Sequence, residues 1–353
     1  VNCYNCTLTG RIATEGLKIV YLQPDIAPSA LTLHHFLTEK DVAHTLERSL
    51  VKVTTIDPES LIELLYTKLN LSVEEKNSLR ILILNEAEEL SIETLEQFKS
   101  LNRWYQIFKA HDLLSIVEKK SITAQFQPII RLDDWSIYGY ECLMRGIADD
   151  GRVIPPGTLF EQAVELDLTF NLDRVTRETI IRLAANNNTP GYLFINFLPN
   201  SIYDPETCLR TTMRVVDEMG IDHSRLVFEV VESQSFQDPE RLIAILDYYR
   251  SKGVRTALDD VGSGYSSLNI LAQLRPDIMK IDRELVQNIH SDPFKQSIFR
   301  ALSSIANDLS IMLLAEGVET RAELDWVREN GVHLVQGYYF SKPMDLPSFE
   351  MPA

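Results

Sequence analysis

From Thr123 onward, short apolar runs alternate with helix-length amphipathic stretches, a rhythm that few folds accept. Eight runs are found: Ala124 to Ile130, Tyr138 to Leu143, Tyr192 to Phe197, Leu226 to Val231, Arg255 to Asp259, Ile278 to Ile281, Met312 to Ala315 and Leu334 to Phe340. The stretches around Leu159 to Ala185, Glu206 to Met219, Glu240 to Lys252, Phe294 to Asp308 and Ala322 to Glu329 carry apolar residues at helical spacing. This pattern predicts an α/β fold, a TIM-type (β/α)8 barrel over residues 121–353, with function gathered at the C-terminal ends of the strands.

A chain of 353 residues exceeds what one hydrophobic core usually organises. Residues 1–120 are less regular and read as a small α+β N-terminal module of regulatory or sensory character. Short strands are expected at Lys18 to Leu22 and Arg80 to Leu84, and a helix over Glu59 to Leu71. A connecting helix is expected from Ile92 to about Val117, its Phe98, Leu101, Trp104, Tyr105 and Phe108 stripe forming core. Cys3 and Cys6 form a Cys-x-x-Cys pair, but a zinc site needs about four ligands, and Cys142 and Cys208 lie far away.

A formal net charge of −17 disfavours duplex nucleic acid and anionic membranes, which call for basic faces. A small anionic ligand is compatible with that charge if cations bridge it. The longest apolar runs, such as Ile311 to Ala315, fall short of the ~20 residues of a membrane-spanning helix. No basic, apolar leader is read at the N-terminus, and a cytoplasmic location is the expectation.

Polar residues collect where the barrel would place its site. Successive strands from the second end in Glu141, Asn196, Glu229, Asp259 with Asp260, Lys280 with Asp282, Glu316, and Gln336. A single acid at a strand end commonly caps a helix; a series of them asks for another reason. Residues two apart on a strand share a face, so Glu141, Leu143 and Arg145 point together, as do Lys280 and Asp282. Asp259 and Asp260 are adjacent, and both reach one site where the strand ends, at Val261-Gly262-Ser263-Gly264. So many carboxylates would repel one another without cations, and an oxygen-rich, sulfur-free donor set suits Mg²⁺ or Mn²⁺. Two such ions flanking a shared carboxylate activate a water and stabilise phosphoryl transfer, which points to metal-assisted phosphodiester hydrolysis.

The chain resembles the EAL-domain family of cyclic di-GMP phosphodiesterases over about Ala124 to Pro343. The resemblance is carried by Phe126-Gln127-Pro128-Ile129, Glu141-Cys142-Leu143-Met144-Arg145, Asn196-Phe197, Glu229-Val230-Val231-Glu232, Asp259 through Leu268, Lys280-Ile281-Asp282, Ala315 through Thr320, and Gln336-Gly337-Tyr338. It implies that Glu141, Asn196, Glu229 and Asp259 bind a first ion, and Asp259, Asp260 and Glu316 a second. It implies that Lys280 orients the attacking water or stabilises charge on phosphorus, and that Gln336 fixes the water network. Glu232 and Glu319 would steady the loop after the fifth strand and the surroundings of the metal ligands, and Asp282 would support Lys280. On the substrate side it places Gln127, Leu143, Arg145, Asp282 and Glu319, with Pro343 near a guanine. The implied product is linear pGpG, and the implied assembly is a homodimer through the EAL domain.

Two departures stand out. Cys142 fills the middle of the Glu-Cys-Leu triplet, where its side chain points away from the pocket and reads as a core thiol. Val261 and Ser263 stand where the family commonly has Phe and Thr, which bears on loop packing and dimer coupling but removes no ligand. The competing readings are a cyclic di-GMP receptor or interaction scaffold that has lost catalysis, and a barrel enzyme for another phosphodiester. The intact ligand and lysine set speaks against the first, and Leu143 with Arg145 against the second.

Overall fold

The computed structural model describes residues 16–347 apart from 26, 89, 96, 200–201, 203–205, 207–208, 232–238 and 263–266. Cys3, Cys6, Cys208, Glu232 and Ser263 lie outside the described residues. The chain divides into two compact units, one of residues up to Glu118 with Glu161–Leu168, the other of Lys119–Phe160 with the residues from Thr169 onward.

The N-terminal unit is built on β1 (Lys18–Gln23), β2 (His44–Glu47), β3 (Leu50–Thr55), β4 (Arg80–Asn85) and β5 (Lys99–Ser100), in the antiparallel order β2-β3-β1-β4-β5. Alternation places Val20, Leu22, Val51, Val53 and Ile81 in one core with Leu33, Leu37, Leu61, Ile62 and Leu65. The helix Pro58–Lys68 starts where Asp57 accepts a hydrogen bond from Ser60 N and Pro58 opens the first turn. The expected helix from Ile92 to Val117 is not continuous. It is divided into Ile92–Leu95, Leu101–Lys109 and His111–Lys119, with β5 between the first two. The cause is local: β5 pairs with β4, and Ser100 then caps a new helix by accepting from Arg103 N. β2, β3 and the helix Ala27–Glu39 were not anticipated from the sequence.

The second unit is a closed barrel of eight strands: β6 (Ile122–Arg131), β7 (Ile137–Ile147), β9 (Tyr192–Asn196), β10 (Leu226–Val231), β11 (Arg255–Val261), β12 (Ile278–Ile281), β13 (Met312–Ala315) and β14 (Leu334–Val335). A short β8 (Val153–Ile154) pairs on the end of β7. Closure runs through β6, which is antiparallel to both β7 and β14, whereas β7 and β9 through β14 pair in parallel. Strands buried on both faces tolerate near-continuous apolar sequence, so Ile-Met-Lys-Ile in β12 and Leu-Val-Phe-Glu-Val-Val in β10 make their single charges conspicuous.

Ile129, Tyr138, Phe194, Val227, Ala257, Ile278, Leu314 and Leu334 form one buried cluster, one residue from each of the eight strands. This layer plugs the barrel below the site. Side chains two positions apart share a face, so the next inward residues after Phe194, Val227, Ala257, Ile278, Leu314 and Leu334 are Asn196, Glu229, Asp259, Lys280, Glu316 and Gln336. In the reversed β6 the same step is taken backwards, from Ile129 to Gln127. On these seven strands a single alternation supplies both the plug and the polar ring above it; on β7, Glu141 lies three positions after Tyr138 and enters the ring opposite Gln127.

Candidate active site

Lys280 is the centre of that ring. Its Nζ lies 2.7 Å from Glu229 Oε1, 2.7 Å from Glu316 Oε1, 2.9 Å from Asp259 Oδ1 and 3.9 Å from Glu141 Oε1. Lys280 and Glu229 are both fully enclosed, at 1% and 0% exposure, so these charges interact with little solvent screening. Burial would discharge the Lys280 ammonium, but Asp259, Glu141, Glu229 and Glu316 outweigh it and hold its pKa well above the usual lysine value. Burial pushes the carboxyls of Glu229 and Glu316 well up, with the Lys280 charge acting against it.

Glu141 is fixed from two sides. Gln336 Nε2 donates to Glu141 Oε2 at 2.7 Å and to Gln127 Oε1 at 3.1 Å, and Asn196 Nδ2 donates to Glu141 Oε1 at 3.4 Å. Gln127 Nε2 in turn donates to Ser341 O at 3.2 Å. The amides thus orient the carboxylate by its lone pairs and leave Lys280 to the others.

The paired acids reach the site by a different device from the one expected. β11 does not end at Asp259 but runs on to Val261, with its register against β12 shifting between Leu258 and Val261. The bulge is taken up by Asp260, whose φ of 58° is a left-handed conformation that Asp tolerates better than most residues. Both side chains therefore serve one site, and one carboxylate oxygen each from Asp259, Asp260 and Glu316 lies within 4.8 Å of the others. Burial, then the neighbouring Asp259 charge, raises the Asp260 carboxyl to about 6.

The donor chemistry fits hard divalent cations. Every candidate ligand is an oxygen, and Glu229 Oε2 is buried with no hydrogen-bond partner among the described residues, a costly state for a carboxylate unless a cation is shared with it. Cys142, between Glu141 and Leu143, faces the other way, is 2% exposed, and has its thiol pKa pushed well up by burial and then by Glu141. It is neither a ligand nor a nucleophile.

A cavity of about 170 Å³ opens on this ring, lined by Gln127, Glu141, Glu316, Glu319, Gln336 and Tyr338, among others. Leu143 and Arg145 share the face of Glu141 and are half-exposed, but they do not line this cavity, nor do Asp282 and Pro343. Arg145 Nη1 donates to Met144 O at 2.7 Å. Asp282, expected to support Lys280, instead caps the helix Arg283–Val286 through Glu284 N at 2.6 Å and hydrogen-bonds Asp260. Pro343 precedes Met344, whose backbone pairs with Phe126 in the middle of β6, next to Gln127.

Three supporting residues escaped the sequence reading. Glu323 accepts backbone hydrogen bonds from Asn288, Glu319 and Thr320 at 2.8, 3.0 and 2.9 Å, which clasps the loop carrying Glu316. Burial alone would raise its pKa, but those N–H groups outweigh burial and lower it. Asp173 accepts from Leu198 N at 3.1 Å, two residues past Asn196, and is ion-paired with the fully buried Arg177. The Thr320-x-x-Glu323 capping box was readable as a signal for the first; nothing local marks Asp173 and Arg177.

A model of the EAL domain family matches residues 110–343 of this sequence. The chain belongs to the EAL domain family. It is 29% identical over 244 residues to the cyclic di-GMP phosphodiesterase PdeR of Escherichia coli (strain K12), a match covering 68% of this chain and 36% of that relative. The chain thus spans about a third of the length of that relative. Among solved structures it is similar to a standalone versatile EAL protein from Vibrio cholerae O395 in its c-di-GMP-bound form, at 40% identity and a TM-score of 0.60, covering 65% of this chain and 95% of the other. It is also similar to the Bacillus subtilis YkuI protein, with an EAL domain, in complex with substrate c-di-GMP and calcium, at 26% identity and a TM-score of 0.56, covering 68% and 60%. No helix among the described residues is long and apolar enough to cross a membrane.

Proposed function

We propose that this chain hydrolyses cyclic di-GMP to linear pGpG with the help of two Mg²⁺ or Mn²⁺ ions. The observation that carries this reading is the enclosed group of Lys280 with Glu229, Asp259 and Glu316 at 2.7–2.9 Å, beside the paired Asp259 and Asp260. Glu141, Asn196, Glu229 and Asp259 would hold one ion, and Asp259, Asp260 and Glu316 the other. Bound there, such ions would lower the pKa of a water and offset charge on the transferring phosphoryl group.

The chain's own residues then do the following. Lys280 holds a positive charge next to the oxygens where negative charge grows as phosphorus is attacked, an interaction stronger in the transition state than before it. Gln336 and Asn196 keep Glu141 in one orientation, so its second lone pairs face the site. Arg145 and Leu143, on the same strand face as Glu141, contact the dinucleotide. A Glu232 contact to the loop after β11 belongs to the same proposal, as does dimerisation through the barrel.

Incubating the purified chain with cyclic di-GMP and Mg²⁺ or Mn²⁺, with chromatographic separation of products, tests the reading. Linear pGpG is expected. Tight binding of intact cyclic di-GMP with no product would make the chain a receptor instead.

A further inference from the structure

Of the described residues that line the cavity, Arg283 alone is basic; Glu141, Glu316 and Glu319 are all acidic. Lys280 is 1% exposed and engaged with the carboxylates beneath, so its charge acts within the ring rather than at the mouth of the cavity. Arg283 is exposed, and among the described residues its guanidinium makes no hydrogen bond or ion pair. Among the described residues, this guanidinium at the mouth of an acidic cavity has no structural partner. Its chemistry fits an anion: five donors in a planar fork, permanently charged and matched to phosphate oxygens.

The backbone is arranged to keep it there. Gly317, which follows Glu316, has φ of 63°, and a Cβ at that position would stand 2.6 Å from both Cβ and Cγ of Arg283. The missing side chain lets the Arg283 stem lie along the loop carrying Glu316. At the other end, Asp282 caps the helix that Arg283 begins. The guanidinium is thereby tied to the strand ends that bear Lys280 and Glu316.

We infer that Arg283 binds a phosphodiester group of the substrate, and so contributes to ground-state affinity rather than to the chemical step. The inference rests on the proposed cyclic di-GMP activity and adds a phosphate contact to it. Removing one charge-assisted contact of this kind weakens binding by about ten- to a hundredfold.

The test uses the full chain with Arg283→Met, which keeps the aliphatic stem over Gly317, and with Arg283→Lys, which keeps the charge but not the fork. Cyclic di-GMP affinity is read calorimetrically in Ca²⁺, and KM and kcat in Mg²⁺ for cyclic di-GMP and for bis(p-nitrophenyl) phosphate, a phosphodiester without guanine. Arg283→Met is expected to raise Kd and both KM values about ten- to a hundredfold, with kcat within about twofold. Arg283→Lys is expected to recover part of the loss. Unchanged Kd and KM in Arg283→Met would overturn the assignment, as would a fall in kcat alone. A KM rise confined to cyclic di-GMP would assign Arg283 to a guanine edge and overturn the phosphate contact. A parental chain that neither binds nor cuts cyclic di-GMP would remove the proposed function and this inference together, an outcome visible before any variant is compared.

Discussion

Lys280 and Arg145 are both cations on strand faces that point toward the site, yet burial separates their roles. Lys280 is enclosed among carboxylates with its ammonium held in place by them, so in the proposed reaction its charge would be preorganised for the transition state. Lys280→Ala is expected to lower kcat by about a hundred- to a thousandfold, the usual effect of removing one such group, while calorimetric affinity in Ca²⁺ stays near the parental value. Hydrolysis at the parental rate would refute the catalytic role. Arg145 is half-exposed and, in the proposed function, contacts substrate in the ground state, so Arg145→Ala should raise KM with little change in kcat. A kcat defect at unchanged KM would reverse the two assignments. Both residues were readable in the sequence, because a lysine in Ile-Met-Lys-Ile and an arginine two positions beyond Leu143 break an apolar pattern. Arg283 was not, since a basic residue opening a short helix after Asp282 looks like ordinary surface. What singles it out is Gly317, distant in sequence, whose missing side chain leaves room for the Arg283 stem.

At the scale of elements, helices and strands meet in polar pairs that no periodicity reveals. The helix Thr169–Asn186 buries Asp173 and Arg177 one turn apart, at 2% and 0% exposure, and Asp173 also holds Leu198 N beyond the end of β9. On sequence alone, Asp and Arg at that spacing read as a solvated surface pair worth a few tenths of a kcal/mol. Burial changes the outcome, because removing one partner strands the other charge in a medium that solvates it poorly. Arg177→Ala is therefore expected to destabilise the fold by about 3–5 kcal/mol in denaturant unfolding. A loss below about 1 kcal/mol would place the pair with exposed ion pairs. The β-bulge at Asp260 belongs to this scale too. Adjacent acids suggested a strand end; hydrogen bonding to β12 instead prolonged β11 and twisted one residue out of register.

At the scale of the molecule, the barrel unites an apolar layer contributed by all its strands with a ring of opposed charges directly above. Glu229, Asp259 and Glu316 share the buried ammonium of Lys280, with Glu141 and Asp260 beside them, and burial raises the Glu229, Asp260 and Glu316 carboxyls. A bound divalent cation relieves that repulsion in the folded chain and has no equivalent site in the unfolded one. Mg²⁺ or Mn²⁺ should accordingly raise the Tm, with about 2.7 kcal/mol of added stability at a hundredfold excess over Kd. Chelator should lower it and abolish turnover. A Tm insensitive to both ions, with full turnover after exhaustive chelation, would exclude these carboxylates as the metal site.

The barrel and most of the charged ring are legible in the chain, because strand alternation and apolar burial act over a few residues and leave their period there. Asn196, Glu229, Lys280 and Glu316 were identified by that local rule alone. Tertiary structure decided what depends on closure. The first strand is reversed, so Gln127 enters the ring from the opposite direction; the span from Ile92 to Val117 is broken by pairing with β4; and Asp282 turns to Asp260 rather than Lys280. It also decided which charges are shielded, since Lys280 and Arg283, three residues apart, differ in solvent access only because neighbouring strands enclose one and a glycine leaves room for the other.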